Sequence, residues 1–361
     1  MRLFMCGILW VLPTIGLLAQ SVDEERQGLG DVNTATATTR NIEAHQRALA
    51  MLGAGGNGLL LIPESTNDRV MAFDPLTGDL VDADFIPADA TNLSTPIHAI
   101  RHPTNGNILV SDQIEDLVQE YDTAGNYIGV FAPVGGVNNA ILDNIRGMGY
   151  GPNNSILVSV GGGTNADAIA QFDTDGTYLG NFVANAAGGL GSPFDVTARA
   201  SDYLVGGINS DAIHRYDSSG SPLSNLTGIN TFPEQVISIG SGNVLVANFS
   251  GTEEGIVEYT SAGAPVGIYD PASLGGYRGV YELPNGNILC TNGSGVHEID
   301  RAGNLVETKI AGVSARFIEP FNVGPAIPPI PTLGPFGILI LASLMVALGL
   351  WLQRRRRNQN A

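Results

Sequence analysis

Lysine is nearly missing from this chain: Lys309 is the single lysine in 361 residues, and the 17 basic residues face 35 acidic ones. Arg2 and the run Arg354–Arg357 sit at the two ends, which leaves 12 basic residues against the same 35 acids in between. A surface of that sign repels phosphate backbones and excludes nucleic acid as a partner. Cysteine is equally scarce. Cys6 stands near the start and Cys290 in the body, so the body closes no internal disulfide and must rest on a large apolar core. Long helix-period patterns are few. The 47 glycines and 20 prolines point instead to many short strands joined by tight turns.

Both ends carry apolar runs. Met1-Arg2 followed by the apolar stretch Leu3–Leu18 and a small residue, Ala19, predicts a signal peptide over 1–19, with a polar linker over 20–44. At the other end, residues 319–335 form a proline-rich spacer with Pro325, Pro328, Pro329, Pro331 and Pro335, too many for a regular helix or strand. The uncharged run Phe336–Leu352 is long enough, at about 25 Å as a helix, to cross a bilayer core, so a transmembrane helix is expected over 336–353. The basic stop Arg354, Arg355, Arg356 and Arg357, in the tail 354–361, holds that end in the cytoplasm.

Ile330, Pro331, Thr332 and Leu333, followed by an apolar span and a basic stop, resemble the bacterial IPTL-type C-terminal sorting signal, a relative of the PEP-CTERM signals handled by exosortases. Gly334-Pro335-Phe336 departs from the polar-then-aromatic pattern of many relatives. The resemblance implies an exported precursor held in the inner membrane. An exosortase-type membrane peptidase would cut it near Ile330–Leu333 and pass it to the cell surface or beyond. A plain C-terminal tail anchor has the same composition.

The body repeats itself. A polar turn followed by a short apolar strand recurs in Asn105-Gly-Asn-Ile-Leu-Val110, Asn153-Asn-Ser-Ile-Leu-Val158, Ser241-Gly-Asn-Val-Leu-Val246 and Asn285-Gly-Asn-Ile-Leu-Cys290. A second turn follows each, and its first residue (Asp74, Asp122, Asp173, Asp217, Thr260, Asp300) recurs after 48, 51, 44, 43 and 40 positions. That period belongs to propeller blades. Strands that are apolar without alternation are covered on both faces, and blades supply that by stacking around an axis. An all-β, six-bladed propeller over 45–318 is therefore expected. Leu49–Leu52 is a candidate for the innermost strand of the first blade, although His45–Leu49 also holds helix formers, and Ala315–Pro320 is a candidate outer strand that fastens the ends.

Strand ends such as Tyr121-Asp122, Phe172-Asp173 and Tyr216-Asp217 make the repeat resemble the NHL/SMP-30-like six-bladed propellers. Lactonases of that kind hold a divalent metal in the channel through Glu, Asn and Asp from different blades. The counterparts available here are Glu64, Asp195 and Asn248, with Asp112, Asn209, Asn292 and Glu234 in similar places. Such oxygen donors suit Ca²⁺ or Mg²⁺. The competing reading has each side chain closing its own strand-end turn, and no residue-by-residue match to the lactonase triad can be drawn.

His45, His98, His102, His214 and His297 are spread over separate repeats, except that His98 and His102 flank one strand, and Cys290 lies in a buried strand. Arg146-Gly and Arg278-Gly occupy equivalent places in two blades, as channel-mouth anion binders or as structural braces. The sequence thus predicts a non-catalytic binding scaffold without a cofactor, directed at an unknown surface ligand or protein. The alternative is an exported metal-dependent hydrolase working in the channel.

Overall fold

The computed structural model of the protein describes residues 40–322, where 24 strands form six four-stranded antiparallel sheets. The expected signal peptide 1–19, the motif Ile330–Leu333, the segment 336–353 and Arg354–Arg357 lie outside the described residues. Among the described residues, no helix is long and apolar enough to cross a membrane.

Blade 1 holds β1 (Leu59–Glu64), β2 (Arg69–Phe73) and β3 (Leu80–Ile86). Blade 2 holds β4 (Pro96–Arg101), β5 (Ile108–Asp112), β6 (Leu117–Tyr121) and β7 (Tyr127–Ala132). Blade 3 runs through β8 (Ile145–Tyr150), β9 (Ile156–Val160), β10 (Ala168–Phe172) and β11 (Tyr178–Val183). Blade 4 contains β12 (Pro193–Ala198), β13 (Tyr203–Gly207), β14 (Ala212–Tyr216) and the short β15 (Thr227–Gly228). Blade 5 contains β16 (Pro233–Ser238), β17 (Val244–Asn248), β18 (Gly255–Tyr259) and β19 (Pro265–Tyr269). Blade 6 contains β20 (Gly279–Glu282), β21 (Ile288–Asn292), β22 (Gly295–Ile299) and β23 (Leu305–Ala311). The last strand, β24 (Glu319–Phe321), returns to the start and pairs Leu60 with Pro320, so it is the innermost strand of blade 1.

This closure differs from the two expected candidates. Residues Ile42–Leu52 form a helix, α1, rather than a strand. Asn41 caps it by accepting from the Ala44 N–H at 3.1 Å, and Ala44, Ala48 and Leu52 recur on one buried face. The C-terminal segment does fasten the ring, but from the inside, and with residues that composition assigns to the spacer. Proline is tolerated there because an innermost strand is an edge of its sheet.

The unalternating second strands behave as expected of doubly covered strands. In β5, Ile108 and Val110 join the core between blades 1 and 2, while Leu109 between them joins the core between blades 2 and 3. In β9, Ile156, Val158 and Val160 face blade 2 and Leu157 faces blade 4. Each seam is thus a separate apolar core, and burying one such leucine contributes about 2 kcal/mol.

Candidate functional site

The innermost strands surround the axis, and β-bulges interrupt their pairing at Pro96/His98, Ile145/Met148, Pro193/Asp195 and Pro233/Val236. A bulge leaves backbone N–H groups without a ladder partner. Side chains from neighbouring inner strands take them up. His98 Nδ1 accepts from the Met148 N–H at 3.1 Å, and Asp195 Oδ2 accepts from the Val236 N–H at 3.0 Å. Gln235 Oε1 accepts from the N–H groups of Val280 and Ile318 at 2.9 and 3.0 Å, while its Nε2 donates to the Ile318 carbonyl at 2.8 Å. The polar residues of the axis therefore stitch blade to blade.

His98, Asp195 and Gln235 are all at most 3% exposed. His98 Nε2 lies 3.4 Å from Glu319 Oε2, which brings a basic and an acidic group from blades 2 and 1 together. Burial pushes the Asp195 carboxyl up to about 6; His98 and the N–H groups of Val236 and Val196 pull it down, and Glu319 pushes it further up. Aromatic rings pack beside them: Phe317 meets the His98 ring edge-on at 5.2 Å, and Phe194 lies 6.0 Å from Phe317.

The three candidate metal ligands each hold a different local structure. Glu64, fully buried, accepts from the Thr66 and Asn67 N–H groups at 2.8 and 3.2 Å and pairs with Arg69 Nε at 2.7 Å. Asn248 Nδ2 donates to the carbonyls of Asn230, Ser250 and Glu253 at 3.0, 3.1 and 2.7 Å. Asp195 Oδ1 accepts from its own neighbour, the Val196 N–H, at 2.8 Å. No hydrogen bond joins any of the three to another. Asp112 and Asn292 close their strand ends in the same manner, Asp112 accepting from Ser94 and Thr95 and Asn292 from Ser294 and Gly295. Among the described residues, no three His, Cys, Asp or Glu side chains are grouped as a metal site requires.

Arg146 donates through Nη1 to Ser192 Oγ at 2.7 Å and stacks on Phe194 at 4.5 Å, which makes it a brace between blades 3 and 4. Arg278 donates to Ser314 Oγ at 2.5 Å and lies over the Phe249 ring. The remaining histidines bond within their surroundings: His45 to Asp82, His102 to the Thr174 carbonyl, His214 to Ser210 and His297 to Asn292. Cys290 is fully buried, and burial pushes its thiol up, away from reactivity.

An IPTL-CTERM motif matches residues 328–357, and this C-terminal sorting motif suggests an exported protein. No curated protein matches the chain. Among solved structures, a chain of a nidogen/laminin complex superposes with a TM-score of 0.57 at 13% identity, over 73% of this chain and 97% of that one. A protein of unknown function from Bacteroides caccae gives 0.51 at 16% identity, covering 73% and 98%. A gluconolactonase from Xanthomonas campestris gives 0.50 at 17% identity, covering 62% and 78%. Identities this low show a shared fold alone. The chain is a six-bladed β-propeller with solved neighbours of the SMP-30/gluconolactonase type, and it carries a C-terminal IPTL-CTERM motif.

Proposed function

We propose that the protein is an exported surface protein whose propeller binds its partner without transforming it. The observation that carries this reading is the state of the axial side chains. Asp195, Gln235 and His98 are committed to backbone groups of adjacent blades, so they brace the ring where a hydrolase needs open acid, base or metal positions. The rim loops of several blades then form one rigid face, as propellers use for binding. The strongly acidic body favours cationic or divalent-bridged partners.

In this proposal the precursor is anchored by 336–353, with Arg354–Arg357 inside, and an exosortase-type peptidase processes it near Ile330–Leu333. Pro331 removes an N–H and fixes φ, so the peptide enters a protease extended. Replacing Pro331 and Thr332 together should trap a full-length membrane-bound precursor. If the wild type also keeps its C-terminal span, the segment is an anchor only.

The alternative is the Ca²⁺- or Mg²⁺-dependent hydrolase through Glu64, Asp195 and Asn248. Small lactones offered to the purified protein with each cation separate the two readings. The binding role predicts no turnover. Turnover that disappears in Asp195→Asn and Asn248→Ala, both still folded, would establish the hydrolase.

A further inference from the structure

On the outer side of the joint between blades 1 and 2 lies an open cleft of about 310 Å³, lined by Arg40, Pro87, Asp89, Tyr121, Asn126 and Tyr127. Its volume is at the lower end for small-molecule sites. Two of its lining residues carry buried polar groups with no partner among the described residues: the Tyr121 hydroxyl and Arg40 Nε. Tyr121 is only 2% exposed, and the cleft is lined by it. Leaving such a group unsatisfied costs about 1–3 kcal/mol.

The equivalent strand ends of the other blades differ in how they treat this position. At the equivalent strand end of blade 4, Tyr216 donates to the Ala187 carbonyl at 2.8 Å, and blade 3 carries Phe172 there, with no hydroxyl to satisfy. Tyr121 has neither remedy, and Tyr259 at the equivalent place in blade 5 shares its unpartnered hydroxyl; Tyr121 is set apart by lining the cleft.

The rest of Arg40 is fixed. Its Nη2 donates to the carbonyls of Phe85 and Gly125 at 3.0 and 3.1 Å, which locks the guanidinium across the joint. Asp89 adds a carboxylate, itself held by the Thr91 N–H and Asn92 Nδ2 at 3.0 and 2.6 Å. Tyr127 packs edge-on against Tyr121 at 5.5 Å and is 37% exposed, so its ring borders the solvent side.

We infer that this cleft binds a neutral pyranose, as a free sugar or as a unit of a polysaccharide. Two fixed donors, one carboxylate acceptor and a partly exposed aromatic ring are the complement of a ring with equatorial hydroxyls and an apolar C–H face. The opposite charges of Arg40 and Asp89 offset each other. Neither an anionic nor a cationic sugar therefore gains net attraction from this pair, and the acidic body of the protein disfavours the anionic one. The cleft is built from residues apart from the channel set, so the inference goes beyond the binding role proposed above and does not depend on it.

The test titrates full-length protein, in a detergent without a sugar headgroup, with methyl glycosides of glucose, galactose and mannose, and with glucuronate. Ligand-observed NMR reads binding. At least one neutral glycoside should bind, glucuronate should bind more weakly, and Tyr121→Phe should weaken binding about fivefold, the loss of one neutral hydrogen bond. Tyr259→Phe removes another unpartnered buried hydroxyl, one that does not line this cleft, and should leave binding unchanged. No binding of any neutral glycoside at millimolar concentration, or equal binding by wild type and Tyr121→Phe, would overturn the assignment. Since Tyr121→Phe keeps the ring and removes an unsatisfied hydroxyl, a melting temperature that is equal or higher shows that any loss of binding arises in the cleft.

Discussion

Gly176 of blade 3 lies against the carbonyl oxygen of Phe131 of blade 2, so close that a Cβ has no room between them. The same glycine has φ +81°. It therefore answers two demands at once, a left-handed turn and an interblade contact. The relation repeats around the ring, with Gly125 on Phe85, Gly220 on Phe182 and Gly263 on Leu226. The Asp-x-x-Gly signal that reveals the repeat is thus also a joint between blades.

Gly176→Ala should destabilise the propeller by about 3 kcal/mol or more, since it combines αL strain with a backbone clash. Gly240 is exposed, and a Cβ there meets nothing within 4 Å, so Gly240→Ala should change stability by less than about 0.5 kcal/mol. Thermal or urea unfolding of the two variants decides it. Equal effects would reduce Gly176 to an ordinary turn residue.

Gln235 ties blade 5 to blade 6 and to the segment leading into the closing strand β24, through Val280 and both backbone groups of Ile318. Gln235→Leu leaves those buried groups unpaired and should cost about 2–4 kcal/mol. Hydrogen exchange should quicken first at Ile318 and Val280, while the Val158 amide of blade 3 follows global unfolding. Deleting the chain from Val313 onward, which removes β24, should be more damaging still and expose the face of β1. A truncated protein with wild-type stability would mean that the ring does not need this closure.

The sequence made the blades legible because turn chemistry and doubly covered strands are local features, visible in Asn105–Val110 and Asp122–Gly125. Ring closure was legible only in part: the sequence marks Ala315–Pro320 as a segment that fastens the ends, but as an outer strand and not as the innermost strand of blade 1. Glu319-Pro320-Phe321 reads as the start of a proline-rich spacer, and only long-range pairing with Leu59–Leu61 makes it a strand. The axis was harder again. His98 reads as one residue of a strand and Gln235 carries no signal at all, because bulge position decides which side chains meet the neighbouring backbone. Glu64 and Asn248 were visible as strand-end polar residues, but composition cannot tell a turn-closing side chain from a ligand.

The Asp195 carboxyl should titrate with a midpoint near pH 6, because burial disfavours its ionised form. Asp217 and Asp300, on exposed turns, should titrate below the usual carboxylate range, since Ser219 and Asn304 respectively bond to their ionised forms. The sign for stability follows. A carboxyl raised in the folded state binds more protons there than in the unfolded chain between about pH 4 and 6, so its effect is to lower stability as pH rises through that window. The full penalty, about 3 kcal/mol, is present above pH 6. Carbon-13 carboxyl titration of the folded protein measures the midpoint, and a value near 4 would show that the two N–H donors outweigh burial.

Lys309, the chain's single lysine, joins blade 6 to blade 1 by reaching Asp79 at 2.9 Å while also meeting Glu298 at 3.0 Å and Glu307 at 2.7 Å. Asp79 and Glu307 are more than half exposed, so solvent screens those pairs and their contribution is small. The contact with Glu298 differs, since the two side chains are only 5% and 7% exposed. Burial alone would lower the Lys309 pKa, but the bonds to Glu307, Asp79 and Glu298 outweigh it and hold the amine above its ordinary value. Its contribution to stability is therefore complete through neutral pH and lost only under strongly alkaline conditions. Lys309→Met keeps the stem that covers the seam and removes the charge, which should cost about 1–2 kcal/mol by stranding Glu298 among the amides of Asn285 and Asn287. Lys309→Met with Glu298→Gln should recover much of that loss, because the second change removes the stranded charge. Urea unfolding of the two single variants and the pair measures the coupling, and additive effects would show that Lys309 acts only as a surface charge.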